Sequence, residues 1–325
     1  MSSAIFTPNK SWILPAAISL VLFVVLYGFF PYCSGYGDLK VSVFTMLYGL
    51  ATTYGSWGHC LFVFPVAAGL IYWKRAELSK VPVAGTLWGL IPFVFALLLY
   101  WVGYKTNVQY FGFVSAQIFI GGLILFFLGW KFLKAILFPW TFLAFAWPFL
   151  FLDNEIAFPL RVQMSSLCYH FLNLIGLPTI QSGTALVSAP DYINNIPSGG
   201  KFQVDIADPC SGIRSLFALA MITALYGYIT LPKTWQKIGL FLTAIPLAIL
   251  GNFIRILILT FGTLGFGADF AIGTIDKPTW YHMGAGYFVY VIALGGMVLI
   301  GKILTSKWFN RPSPAPAVVG NPVTQ

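Results

Sequence analysis

The chain has 325 residues, of which 58% are apolar and only 8% charged, with a mean hydropathy of +0.84. Soluble domains carry about 25% charged residues, so this chain cannot wet a surface of its own size and lipid is its main solvent. The formal net charge of +9 raises nucleic-acid binding, but the charge distribution along the chain gives it a topological meaning instead.

Eight apolar stretches are long enough, or nearly so, to cross a hydrocarbon core of roughly 30 Å at about 1.5 Å per residue. They lie at 12–30, 57–73, 83–102, 110–130, 135–152, 211–231, 237–264 and 281–303. The first has the length of a signal peptide. No small-x-small cleavage site follows it before Pro31, and seven more stretches come after, so it reads as a retained anchor. The second and fifth are short and contain Pro65, Pro139 and Pro148, which predicts tilting, kinking or pairing. The seventh is long enough to cross with tilt. Soluble-protein priors on length suggest two domains; an all-α polytopic membrane fold, one helical bundle over 1–310, suits this composition better.

Between the fifth and sixth stretches lies one long outer segment, 153–210. Loops of that length in compact proteins usually carry function. Its first part, Ile156 to Leu174, reads as an interfacial helix interrupted by Arg161, Gln163 and His170. Its second part reads as a small β-hairpin. Thr184 to Ser188 is one short run, and Phe202, Val204 and Ile206 alternate with Gln203 and Asp205. Pro197-Ser-Gly-Gly200 supplies turn chemistry between them, and the chain then enters Pro209-Cys210. Beyond Arg311, four prolines and little hydrophobicity predict a disordered cytoplasmic tail over 311–325.

Charge orients the spans. Lys10, Lys74, Arg75, Lys80, Lys131, Lys134, Lys233, Lys237, Lys302, Lys307 and Arg311 fall on one side, eleven cations against five (Lys40, Lys105, Arg161, Lys201 and Lys277). The positive-inside rule places both termini in the cytoplasm of an inner (plasma) membrane. No internal repeat, nucleotide loop or zinc-type spacing is present, so no metal or organic cofactor is expected. The four cysteines make no disulfide framework, although a Cys33–Cys168 bridge stays open.

Under this topology three polar residues reach one depth on the outer face. Cys210 stands at the mouth of the sixth stretch, in Asp208-Pro-Cys-Ser-Gly-Ile-Arg-Ser215. Arg255 lies in the outer half of the seventh, in Gly251-Asn-Phe-Ile-Arg-Ile256, and His282 opens the eighth, in Trp280-Tyr-His-Met-Gly-Ala-Gly286. A guanidinium inside a span costs somewhere between ~2.5 and 17 kcal/mol, so Arg255 needs a partner or a task; the plainer reading is snorkelling to the headgroups. Asn252, three residues earlier, shares its helical face. A lone Cys is more often a small hydrophobe than a nucleophile, but a helix start and nearby cations favour the thiolate. Arg214 steadies that thiolate, binds a substrate carboxylate, or pairs with Asp208. His282 is an interfacial histidine or, with Cys210 at matching depth, a general acid/base. For His59 and His170 the interfacial reading is the better one, though His59 could reach the same cavity.

Those segments resemble the exosortase/archaeosortase family of membrane transpeptidases. Its pattern has a Cys-Ser-Gly block, an Asn-x-x-Arg block and a His-x-x-x-Gly block, matched here in order by Cys210-Ser-Gly-Ile-Arg214, Asn252-Phe-Ile-Arg255 and His282-Met-Gly-Ala-Gly286. Gly58-His-Cys-Leu-Phe-Val-Phe-Pro65 with Trp73-Lys-Arg75 resembles its second span, without the acidic residue and Tyr-Ser that precede the His there. Phe138-Pro139 and Trp147-Pro148 resemble its fifth. The resemblance covers roughly residues 55–290. It implies Cys210 as nucleophile, Arg255 as stabiliser of the oxyanion or substrate carbonyl, and His282 as acid/base. The implied substrates are exported proteins with a C-terminal sorting signal: a Pro-Glu-Pro-type motif, a transmembrane helix and a basic tail. Lys201 and Arg161 of the outer segment are then candidates to read an acidic residue of that motif. A surface polysaccharide or lipid is the implied acceptor. Two rival readings are a transporter or channel with Arg255 and His282 lining its path, and a non-catalytic assembly protein of polysaccharide export.

Overall fold

A computed structural model describes residues 12–34, 39–53, 57–148, 155, 158–205, 213–274 and 277–306, with the side chains of 213–215 outside the description. The chain divides into two compact units, Met1–Phe158 and Pro159–Gln325.

The first unit opens with α1 (Ile13–Gly28) and α2 (Val43–Thr53). Helix α2 was not expected, because Thr45, Gly49, Thr52 and Thr53 break its apolar run. Yet Val43, Met46, Leu47, Leu50 and Ala51 are the buried side, which is the i, i+3, i+4, i+7 spacing of an amphipathic helix. Next come α3 (Cys60–Trp73), the single turn α4 (Arg75–Leu78), α5 (Leu90–Thr106) and α6 (Gln109–Phe127). Thr86 caps the 3-10 turn that leads into α5, its Oγ1 accepting the Trp88 N–H at 3.4 Å. Asn107, in the left-handed region, turns α5 into α6. The two pack closely around Tyr27, whose hydroxyl donates to Ser115 Oγ; Ser115 donates onward to the Ala96 carbonyl at 2.7 Å.

The fifth apolar stretch is not one helix. It is α7 (Trp130–Ala135), α8 (Leu137–Phe142) and a 3-10 turn over Leu143–Ala146. Proline explains both breaks. The helix restarts at Leu137, so Pro139 sits in a first turn where its missing N–H leaves no gap. Before Pro148, Trp147 is extended at φ −95°, ψ 116°, as a residue preceding proline prefers. Gln117 of α6 binds these broken pieces. The Trp147 indole donates to its Oε1 at 3.0 Å and the Trp140 indole to its carbonyl at 3.1 Å.

The second unit begins with α9 (Phe158–Leu174), the interfacial helix read from the sequence, and continues into β1 (Thr179–Ser182), β2 (Ala185–Ser188) and β3 (Gln203–Asp205). The expected β2–β3 pairing is present, antiparallel, with Leu186 opposite Val204. Strand β1 is an addition that the sequence reading missed. Asn173 fastens it to α9, accepting the Thr179 N–H at 3.1 Å and donating to the Thr179 carbonyl at 3.1 Å. Met164, Cys168, Leu172, Leu186, Phe202 and Ile256 form the buried core beneath the sheet.

Helices α10 (Ile213–Thr230), α11 (Thr234–Leu242), α12 (Ala244–Phe266), the short α13 (Ala268–Ala271) and α14 (Trp280–Thr305) complete the unit. Pro246 repeats the device of Pro139, falling in the first turn of α12.

Among the described residues, four helical segments are long and apolar enough to cross a membrane: Leu87–Thr106, Gln109–Phe127, Thr234–Phe266 and Trp280–Thr305. The other four expected spans fall on shorter apolar helices, Ile13–Gly28, Cys60–Trp73, Leu137–Ala146 and Leu216–Thr230. Length and composition among the described residues thus confirm four of the roughly eight expected spans. In the fifth stretch, composition measures the length of the apolar run, not where proline divides it.

Cys33, Cys60 and Cys168 are buried, the first two in the first unit and Cys168 in the second. Burial pushes the Cys168 thiol up to about 12, and only a thiolate alkylates readily. Iodoacetamide at pH 8 is expected to leave Cys168 unmodified in the native protein and to label it after SDS. Labelling of Cys168 in native protein, read by peptide mass spectrometry, would contradict the packing described.

Candidate active site

Helices α12 and α14 form the wall that carries the site. Their contacts pair Leu247 with Gly296, Gly251 with Val289 and Gly262 with Tyr281, so the helices run antiparallel with small residues at the seam, as close packing in lipid requires. Ala285 and Leu259 are buried with Val204 of β3, which brings the end of the sheet onto both helices.

The N-terminus of α14 is set by Thr279, whose Oγ1 accepts the His282 N–H at 3.1 Å. In this first turn the Tyr281 ring lies over Gly262, and its hydroxyl donates to the Ile258 carbonyl at 3.0 Å. Sequence reasoning passed over both residues, since a Gly in one span and a Tyr in another carry no signal of their meeting. A Cβ at Gly262 would overlap the Tyr281 ring. Gly262→Ala is expected to cost about 1–3 kcal/mol through overpacking, lowering the melting temperature in detergent. Tyr281→Leu in the same chain should recover most of the loss; a single variant as stable as the parent would refute the contact.

One turn of α12 below that lock, Arg255 and His282 meet. Arg255 Nη2 lies 3.1 Å from His282 Nε2. A guanidinium can only donate, so Nε2 accepts and the imidazole is the neutral tautomer protonated on Nδ1. His282 Nδ1 is buried with no partner of ordinary hydrogen-bond geometry among the described residues, and the Ile272 backbone approaches the ring more loosely. Gly286, one turn after His282 on the same face, lies under the guanidinium, and a Cβ there would sit 3.7 Å from Nη2. Arg255 is half-buried, and its guanidinium has a side-chain partner in His282.

Asn252 is 3% exposed. It lines a cavity of about 40 Å³ with Leu160 and Met164 of α9, Leu216 of α10, and Ile249. Arg161 is half-buried beside Leu160 in the first turn of α9. Lys201 donates to Asp191 Oδ2 at 2.7 Å; this pair and the Asn194 amide hold the Asp191 carboxyl well below the usual carboxylate range. His170 is exposed, its ring edge-on to Tyr169. His59 belongs to the first unit, at the N-terminus of α3 with its ring 5.8 Å from that of Trp57. Cys210 lies outside the described residues, as does the side chain of Arg214, whose backbone is in the first turn of α10.

Neither curated proteins nor solved structures give a match to this chain. A family model does: transmembrane exosortase (Exosortase_EpsH), over residues 52–299. That range spans most of the chain, including the Arg255–His282 pair and the segment holding Cys210; the protein is a membrane protein and belongs to the transmembrane exosortase family.

Proposed function

We propose that the protein is a cysteine transpeptidase of the outer face of the plasma membrane. It cuts the C-terminal sorting signal of exported proteins and transfers them to a surface acceptor. The observation that carries this reading is the 3.1 Å contact between Arg255 and His282, which unites two of the three family motifs across 27 residues of sequence. The third motif supports it through chain connectivity. Helix α10 begins three residues after Cys210, a link that spans at most about 11 Å, and its Leu216 shares a cavity with Asn252, one turn before Arg255. From the other side, β3 ends five residues before Cys210 with Val204 packed against Leu259 and Ala285.

In the resting arrangement the guanidinium occupies Nε2 of His282. A scissile carbonyl oxygen competes for the same donors. As the Cys210 sulfur bonds to the carbonyl carbon, the Arg255 fork moves to the developing oxyanion and Nε2 is freed to take the thiol proton. Collapse of the tetrahedral intermediate breaks the C–N bond; His282 gives its proton to the leaving nitrogen and a thioester to Cys210 remains. The acceptor nucleophile attacks that thioester, and sulfur leaves as thiolate. The excess of cations on one side puts both termini in the cytoplasm and this chemistry outside. Arg161 and Lys201 border the motif pocket, and an acidic residue of the substrate must displace Asp191 from Lys201.

The test is chemical. Acid-quenched mixtures of the protein with a tagged substrate bearing a Pro-Glu-Pro motif, a transmembrane helix and a basic tail should contain a hydroxylamine-labile adduct mapped to Cys210. Substrate cleavage with no adduct at Cys210 under single-turnover conditions would overturn the thioester route.

A further inference from the structure

The first unit holds a second cavity, of about 500 Å³, with no part in the chemistry above. Its walls are Trp88, Ile91 and Pro92 at the start of the Leu87–Thr106 span, Leu125 near the end of the Gln109–Phe127 span, and Trp130 just beyond. Both tryptophans thus stand at the same end of the α5–α6 hairpin, where the indole ring marks a membrane–water interface. The space is built into the fold. The Ala84 N–H donates to the Leu128 carbonyl at 3.2 Å and the Thr86 N–H to the Phe126 carbonyl at 3.1 Å, pinning the entering segment against the end of α6. At Gly129, φ is +85° and a Cβ would overlap the Ala84 carbonyl, so the turn that closes the floor requires glycine.

The rim is cationic. Lys134 Nζ lies 5.6 Å from the centre of the Trp130 ring, and Lys131 and Lys134 are both exposed. Between residues 39 and 152 the sequence contains one carboxylate, Glu77, and its Oε2 lies 3.8 Å from Lys74 Nζ. Trp88 and Ile91 are 65% and 60% exposed, an apolar opening that suits an acyl chain and not a water-soluble anion. Positive-inside counting puts this end, with Lys74, Arg75, Lys80, Lys131 and Lys134, toward the cytoplasm, and anionic lipids attract such clusters.

The geometry points to a binding site for one anionic phospholipid of the inner leaflet. Its acyl chain lies between Trp88, Pro92 and Leu125, and its phosphate meets Lys131 and Lys134. Native mass spectrometry of the purified full chain, given equal amounts of phosphatidylglycerol and phosphatidylcholine of the same chain length, tests it. Wild type should retain phosphatidylglycerol in roughly thirty-fold preference, as two lysines near a headgroup imply. Lys131→Gln/Lys134→Gln should bring the ratio to near unity, and Lys302→Gln, a control at the end of α14, should leave it unchanged. Ile91→Trp, which fills the cavity, should lower retention with both lysines in place. Inorganic phosphate in millimolar excess should not displace the lipid. Equal retention by wild type, an unchanged ratio in the double variant, an equal drop in the control, or displacement by phosphate each overturns the site. Should the double variant not stay monodisperse, Lys134→Gln and Ile91→Trp carry the same reading, and unchanged retention in both rejects it.

Discussion

Cys210→Ala abolishes release of the C-terminal signal, a loss on the order of 10³-fold or more, because no other group can form the acyl-enzyme. The readout is the size shift of a tagged substrate co-expressed with the variant, with protein level and detergent melting temperature matched to wild type. Cys210→Ser should be nearly as inactive, since a hydroxyl is far less acidic than a thiol and, even beside His282, a much weaker nucleophile near neutral pH. Processing at wild-type rate in the alanine variant would remove the cysteine from the mechanism and leave the assembly-protein reading standing. Intact folding with lost processing separates chemistry from structure.

The second large effect belongs to Arg255. Arg255→Lys keeps the positive charge but not the planar fork, which must serve the imidazole in the resting state and the oxyanion in the transition state. We expect kcat to fall about 10²–10³-fold, the usual cost of removing an oxyanion donor, while KM changes little. A snorkelling arginine predicts the opposite, because a lysine reaches headgroups as well as an arginine does. The mutant measurement therefore distinguishes the two: unchanged kcat in Arg255→Lys reduces the contact at 3.1 Å to a packing detail. Gly286→Ala gives a graded comparison. Its Cβ meets the guanidinium at ordinary van der Waals distance, so its activity should stay near wild type, whereas Gly286→Leu should displace Arg255 and approach the lysine variant.

The lipid site and the catalytic pair lie in different units, Met1–Phe158 and Pro159–Gln325. Their tests consequently fail separately. Lys131→Gln/Lys134→Gln changes neither Cys210, Arg255 nor His282, and a thioester on Cys210 neither requires nor excludes a lipid beside Trp88.

Much of this molecule could be read without coordinates, and the reasons are local. Apolar runs and lysine asymmetry follow from transfer free energies that each residue carries with it, so the long spans were legible. So was the β2–β3 pair, because alternation at Phe202, Val204 and Ile206 is a property of consecutive side chains. What stayed hidden depends on residues distant in sequence. Helix α2 needed a partner surface to show which of its faces was apolar. The prolines announced a break in the fifth stretch, but not that Gln117 of α6 receives Trp140 and Trp147 from its pieces. Spacing could suggest that Arg255 and His282 share a depth; only helix packing determines that they touch. That contact exists because Gly251, Gly262 and Ala285 let α12 and α14 approach within reach of a guanidinium, and close approach is set by two helices together, not by either sequence alone.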